Sequence, residues 1–194
     1  MTHLFWLDVE TTGLDTARDL VLAVGMRLTT VDLETVSEIE VVTPAWAGEL
    51  AVWNMSPVAK AMHDRSGLYG LAVRGTSQSA IDEYVKAEGR ILRWLDEHAP
   101  TGLDMAERPR LAGNNVATFD RPFMCRYTSS FLNRVHYRSI DVSTLHETAK
   151  LYAPGMLEGC PGKRDVHMPL ADIDDAISLF RHLRGAMGLD RVAA

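Results

Sequence analysis

Cysteine is almost missing from the 194-residue chain: Cys125 and Cys160 stand far apart, with no CxxC or Cys/His spacing around either. That argues against a disulfide framework and a cysteine zinc site, and leaves two buried or idle thiols. Long apolar runs are lacking too, none approaching the roughly 18 residues of a membrane span. The opening Thr2-His3-Leu4-Phe5-Trp6-Leu7-Asp8 has neither a charged leader region nor a cleavage site. A soluble, cytoplasmic protein with no membrane partner is expected. Repeats, low-complexity tracts and linkers are absent, so a single domain over residues 1–194 is expected. Positive charge is also short, with 20 Lys and Arg against 26 Asp and Glu, a net charge of −6. Proteins that grip long nucleic acid carry basic stripes. This chain therefore either avoids nucleic acid or binds only a few nucleotides, with bound cations supplying the positive charge.

What is present suits an ordinary core, with 46% hydrophobic and 24% charged residues. His3 to Val9 reads as a buried strand that Thr11-Thr12-Gly13 breaks. Leu20 to Thr30 and Val36 to Thr43 follow as strands of a meander. Ser56-Pro57 starts a helix over Val58 to Asp64, and Ser77 to His98 is a long helix with apolar Ile81, Tyr84, Val85, Ile91, Leu92 and Leu95. Arg110 to Gly113 reads as a strand, Thr118 to Leu132 as a helix and Val135 to Asp141 as a fifth strand. Ser143 is placed to cap a helix through Tyr152. The last helix runs from about Leu170 to Met187, with Ile173, Ala176, Ile177, Phe180 and Leu183 on one face. Three strands followed by helices interleaved with two more give an α/β architecture, a mixed central sheet flanked by helices.

Asp8 and Glu10 close the first strand. Side chains alternate along a strand, so residues two apart share a face and these carboxylates converge. Such charges on an apolar strand are costly unless neutralised, and a divalent cation suits their hard oxygens; a solvated strand end is the other reading. Asp120 follows Asn114-Asn115-Val116-Ala117-Thr118-Phe119 at a helix start, as either a ligand or a first-turn charge facing the helix dipole. His167 stands five residues before Asp172, and Pro169 keeps it in a loop or first turn. An imidazole there can take a proton near neutral pH. Asp174 and Asp175 read as the acidic opening of an amphipathic helix, an alternative also open to Asp172.

In order, Asp8, Glu10, Asp120, His167 and Asp172 resemble the DEDDh family of 3′-to-5′ exonucleases, whose fold is RNase H-like. The likeness covers most of the chain and is most specific in Trp6-Leu7-Asp8-Val9-Glu10-Thr11-Thr12-Gly13-Leu14-Asp15. It implies a mixed sheet of about five strands. It further implies two Mg²⁺ or Mn²⁺ ions held by Asp8, Glu10, Asp120 and Asp172, with His167 as general base. Within that family the chain is most similar to the oligoribonucleases, through His136-Tyr137-Arg138-Ser139-Ile140-Asp141-Val142-Ser143-Thr144-Leu145, Trp53-Asn54 and His63-Asp64-Arg65-Ser66-Gly67-Leu68.

That resemblance implies hydrolysis of short oligoribonucleotides to nucleoside 5′-monophosphates. It casts Leu14 as a wedge between terminal bases, Thr11, Trp53, His63 and Asn115 as substrate contacts, and Ser143 as a holder of a terminal phosphate. Tyr137 would reach the neighbouring subunit's site in a homodimer; Trp53 and Tyr137 also fit as ordinary core or interface aromatics. Val116 and Phe119 depart from the pattern, standing where oligoribonucleases carry polar residues that help cap the 5′ phosphate. Thr118-Phe119-Asp120 is instead similar to the proofreading exonucleases. The partners implied are 3′ ends of short single-stranded RNA or DNA. The alternative is a proofreading or repair exonuclease on single-stranded DNA; an inactive nucleic-acid-binding relative is disfavoured by the intact carboxylates and histidine.

Overall fold

The run Leu4-Phe5-Trp6-Leu7 is uninterrupted because both faces of the strand it forms are covered. The structure, a computed structural model, describes residues 3–43, 55–72, 78–164 and 166–189, so Trp53 lies outside the described residues. Five strands, β1 (Leu4–Thr11), β2 (Val21–Thr29), β3 (Thr35–Val42), β4 (Arg110–Gly113) and β5 (Ser139–Asp141), form one sheet in the order β3-β2-β1-β4-β5. β1 pairs antiparallel with β2 and parallel with β4, and β4 pairs parallel with β5. The helices are α1 (Pro57–Ser66), α2 (Leu68–Ala72), α3 (Gln78–His98), α4 (Asp120–Tyr127), α5 (Val142–Tyr152) and α6 (Pro169–Ala186). This is the mixed α/β sheet expected.

Alternation along β1 sorts its residues between two cores. Phe5, Leu7 and Val9 pack with Ile91, Trp94 and Leu95 of α3 and Phe123 and Met124 of α4. Leu4 and Trp6 face the other way, against Val142 of α5 and Ile173, Ala176 and Ile177 of α6. Trp6 is fully buried, its indole N–H donating to Thr29 Oγ1 at 2.9 Å and its ring meeting Phe180 edge-on. Burial of such a side chain contributes about 1.5–3 kcal/mol. Asp8 and Glu10 continue the Leu4 and Trp6 series, which directs them to the α6 side.

Several sequence boundaries move. β1 runs on through Thr11 with an irregularity between Glu10 and Thr11, so Glu10 lies within the strand. The helix expected over Thr118 to Leu132 stops at Tyr127, where Thr128 turns extended, and a short 3₁₀ turn at Phe131–Asn133 follows. The fifth strand begins at Ser139, not Val135: Arg121 takes the carbonyls of His136 and Tyr137, both at 2.7 Å, before the sheet is reached. Asp141 rather than Ser143 caps α5, its carboxylate accepting from the Thr144 N–H, while Ser143 Oγ accepts from the Asn115 N–H at 3.2 Å. Ile81 and Val85 of α3 are exposed; Ala87, Ile91, Trp94 and Leu95 form its buried face.

Candidate active site

Three separated segments meet beside the end of β1. Asp120 sits in the first turn of α4 because Asn115, in the left-handed region at φ 52°, folds the chain back so that its carbonyl accepts the N–H groups of Thr118 and Phe119. Asp120 Oδ1 then accepts from the Val9 N–H at 2.8 Å, which draws the helix start onto β1. From the other side α6 brings in Asp172, whose approach depends on Gly25 of β2, the residue paired with Asp8. A Cβ at Gly25 would stand 2.5 Å from Pro169 Cβ, so only glycine lets α6 start this close to the sheet. Glu40 of β3 caps that start, accepting from the Leu170 N–H at 2.9 Å.

His167 precedes α6 with φ 51°, a conformation that side-chain-bearing residues seldom adopt, and this turns its ring toward the carboxylates. Ligand-capable atoms of Glu10, His167 and Asp172 all lie within 4.8 Å of one another. Beneath them His63 of α1 is fully buried, with Nε2 2.8 Å from the Thr11 carbonyl and Nδ1 3.7 Å from Glu10 Oε2.

Burial dominates the electrostatics, and crowding adds to it. Burial, then the neighbouring Asp120, Glu10 and Asp172, hold the Asp8 carboxyl well above the ordinary range. Burial foremost pushes both Glu10 and Asp120 up to about 7. Asp172 is raised by burial as well, against the pull of Lys163 and His167. Among the described residues Asp172 Oδ1 is buried without a hydrogen bond, and its ion-pair contact is Lys163 Nζ at 3.5 Å. Four acids this close repel one another, and a buried charge without a partner costs several kcal/mol in rough terms. Hard carboxylate oxygens with one imidazole form a donor set suited to a divalent cation, so these residues fit a metal.

A cavity of about 910 Å³ opens over this cluster. Asp8, Glu10, His167, Asp172 and Lys163 line it at the acidic end, and Thr11, Leu14, Leu20, Val58, Met62 and Phe119 supply much of its apolar wall. Leu14 stands 82% exposed at the rim. Its loop is pinned by Asp19, which accepts from Thr12 Oγ1 and the Asp15 N–H, and by Arg126 of α4, which donates to the Thr16 and Asp19 carbonyls.

No protein-family model matches the chain. The oligoribonuclease of an Azoarcus species is 35% identical over 182 residues, spanning 94% of this chain and 93% of that protein. That of Bordetella pertussis is 34% identical over 186 residues, with 94% and 93% covered. The chain belongs to the oligoribonuclease family. Solved structures of exonuclease I share its fold. The enzyme from Methylocaldum szegediense superposes with a TM-score of 0.58 at 19% identity, covering 95% of this chain and 41% of that one. The zinc-bound E. coli exonuclease I complex gives 0.64 at 15%, covering 98% and 42%. The chain thus spans about two fifths of the length of these structures.

The residues singled out in the sequence by likeness to the oligoribonucleases fall into three groups. Asp8, Glu10, Asp120, His167 and Asp172 are brought together, with Thr11 and Leu14 on the cavity beside them. His63 donates to the Thr11 carbonyl from below and does not reach the cavity surface. Asn115, Tyr137 and Ser143 lie outside its lining; Asn115 and Ser143 are bonded to each other, and Tyr137 is exposed, stacked on His136. Lys163, Arg18, Val58 and Met62 line the cavity and were not singled out in the sequence. For Lys163 a signal existed, a cation on the loop four residues ahead of His167; Val58 and Met62, on one helix, gave none. Among the described residues no helix is long and apolar enough to cross a membrane.

Proposed function

We propose that this oligoribonuclease-family protein removes nucleoside 5′-monophosphates from the 3′ end of short oligoribonucleotides, with Asp8, Glu10, Asp120 and Asp172 holding two Mg²⁺ or Mn²⁺ ions. The observation that supports this is the convergence of four carboxylates and one imidazole from distant segments, Asp8, Glu10, Asp172 and His167 on the wall of one cavity and Asp120 buried behind it. Bound metal there supplies Lewis acidity, making water a better nucleophile and offsetting charge on the phosphate. His167 accepts the water proton on its imidazole. Asp172, fixed at the capped start of α6, keeps its carboxylate in place, and the His63 ring packs beneath Glu10. Leu14 and Phe119 offer apolar surface to the terminal bases, and Thr11 contributes to the same wall. Asn115, Ser143 and Tyr137 are assigned to the more distant parts of the substrate, Tyr137 from the partner subunit of a homodimer, and Trp53 keeps the pocket role that the family resemblance implies. A net charge of −6 fits a site that grips few phosphates.

Single-stranded DNA is the second reading, favoured by Phe119 in the cavity wall and by the E. coli exonuclease I structures, which hold single-stranded DNA. A time course of product lengths on 5′-labelled RNA and DNA, from dinucleotides to long oligomers, separates the two. Faster turnover of RNA dinucleotides than of long oligomers supports the first reading; preference for long DNA supports the second. Undiminished hydrolysis in EDTA would sink both.

A further inference from the structure

Lys163 stands on the loop leading to α6, and its neighbour Arg164 anchors that loop. The Arg164 N–H and Nε donate to the two oxygens of Asp175 at 2.8 and 2.6 Å, and Nη2 donates to the Ala171 carbonyl at 2.8 Å. The root of the Lys163 side chain is thus fixed over the first turn of α6, while the side chain itself is 55% exposed in the cavity wall. Its ammonium lies 3.5 Å from Asp172 Oδ1, an oxygen that is buried and otherwise makes no hydrogen bond among the described residues. The same charge reaches Asp8 and Glu10 and opposes their mutual repulsion.

A fixed root with a long, exposed tip is the arrangement of a charge that can change partners. Lysine suits this, since its ammonium is a point charge on a flexible four-carbon stem. A divalent cation seeking Asp172 meets a positive charge already there, and like charges a few ångströms apart repel. Once released, the ammonium remains in the cavity wall, where a phosphate of the substrate is the available anion.

We propose that Lys163 is an exchangeable counter-cation: it pairs with Asp172 when no divalent cation is bound, and with a phosphate of the bound oligonucleotide when one is. This rests on the metal-dependent exonuclease reading above.

Calorimetric titration of metal-free protein with Mn²⁺, without nucleic acid, tests the first half. Lys163→Met should bind Mn²⁺ about tenfold more tightly than the unsubstituted protein, and Lys163→Arg should stay near the original affinity. Steady-state hydrolysis tests the second half: in saturating Mn²⁺, Lys163→Met should raise KM for a short oligonucleotide about tenfold while kcat changes little. Unchanged or weaker Mn²⁺ binding by Lys163→Met, or an unmoved KM, overturns the proposal. Failure of the unsubstituted protein to bind Mn²⁺ overturns the metal-dependent reading itself, a result distinct from the other two.

Discussion

Asp120 on α4 accepts the backbone N–H of Val9 on β1 at 2.8 Å, joining two acidic segments 111 residues apart with one oxygen of the carboxylate. The same carboxylate lies close enough to Glu10 to feel its charge, so this side chain has both a structural and a chemical task. Asp120→Ala should strand a buried donor and cost roughly 1–3 kcal/mol. Asp120→Asn keeps an acceptor and removes a charge, so its urea midpoint should match or exceed the parent's. Both should lose nearly all hydrolysis. Equal destabilisation by the two substitutions would show that the Val9 bond contributes little.

Metal removal should leave a pH signature. Glu10 and Asp120 titrate at about 7 when folded, against ordinary values of 4.5 and 3.8. Between those values the native state holds more protons than the unfolded chain, so stability is present at low pH and lost as pH rises through about 7. In EDTA the thermal midpoint should fall from about pH 5 to 7.5 by at least about 2–4 °C, the equivalent of one kcal/mol for a chain of this size. Mn²⁺ should flatten the slope. A profile that rises over this range in EDTA would contradict the burial of these two acids.

His63 bears on Glu10 from below. A carbonyl can only accept, so the bond to Thr11 makes Nε2 the protonated nitrogen, and burial lowers the pKa of the ring. His63→Ala should open a void and orphan that carbonyl, costing about 2–4 kcal/mol. His63→Gln, which restores a donor, should recover part of the loss in thermal melts monitored by circular dichroism.

Close packing sets the position of α6. Gly25→Ala drives a methyl group into Pro169 and its backbone, which should cost about 1–3 kcal/mol and move Asp172 and His167 together. Mn²⁺ affinity should weaken along with activity. Full activity in Gly25→Ala would mean that α6 tolerates a shift at its start.

His167→Ala separates proton transfer from metal holding. A positioned base is worth roughly 10²–10⁴ in rate, so hydrolysis should fall by that factor while Mn²⁺ binding, carried by four carboxylates, changes little. A loss of Mn²⁺ affinity as large as that of Asp8→Ala would recast His167 as a ligand.

The motif Asp8-Val9-Glu10-Thr11-Thr12-Gly13-Leu14 was legible because strand alternation places its carboxylates on one face whatever surrounds them. The apolar run before it likewise announced a central strand. The boundary at Ser139 was not legible, since the bonds from Arg121 to the His136 and Tyr137 carbonyls just before the strand are tertiary. Asp174 and Asp175 read as a simple acidic helix start, yet they pair with Arg27 and Arg164, residues from two other segments.

Which residues could perform the chemistry was readable along the chain, because residue type and local periodicity are properties of neighbours in sequence. Packing between distant segments put Asp172 in one site with Asp8, His63 beneath it and not on the cavity surface, and Lys163 facing the carboxylates. The placement of Asp172 and of the loop carrying Lys163 depends on how near α6 can come to β2, and that distance is set by the absence of a side chain at Gly25 and the Glu40 cap on Leu170.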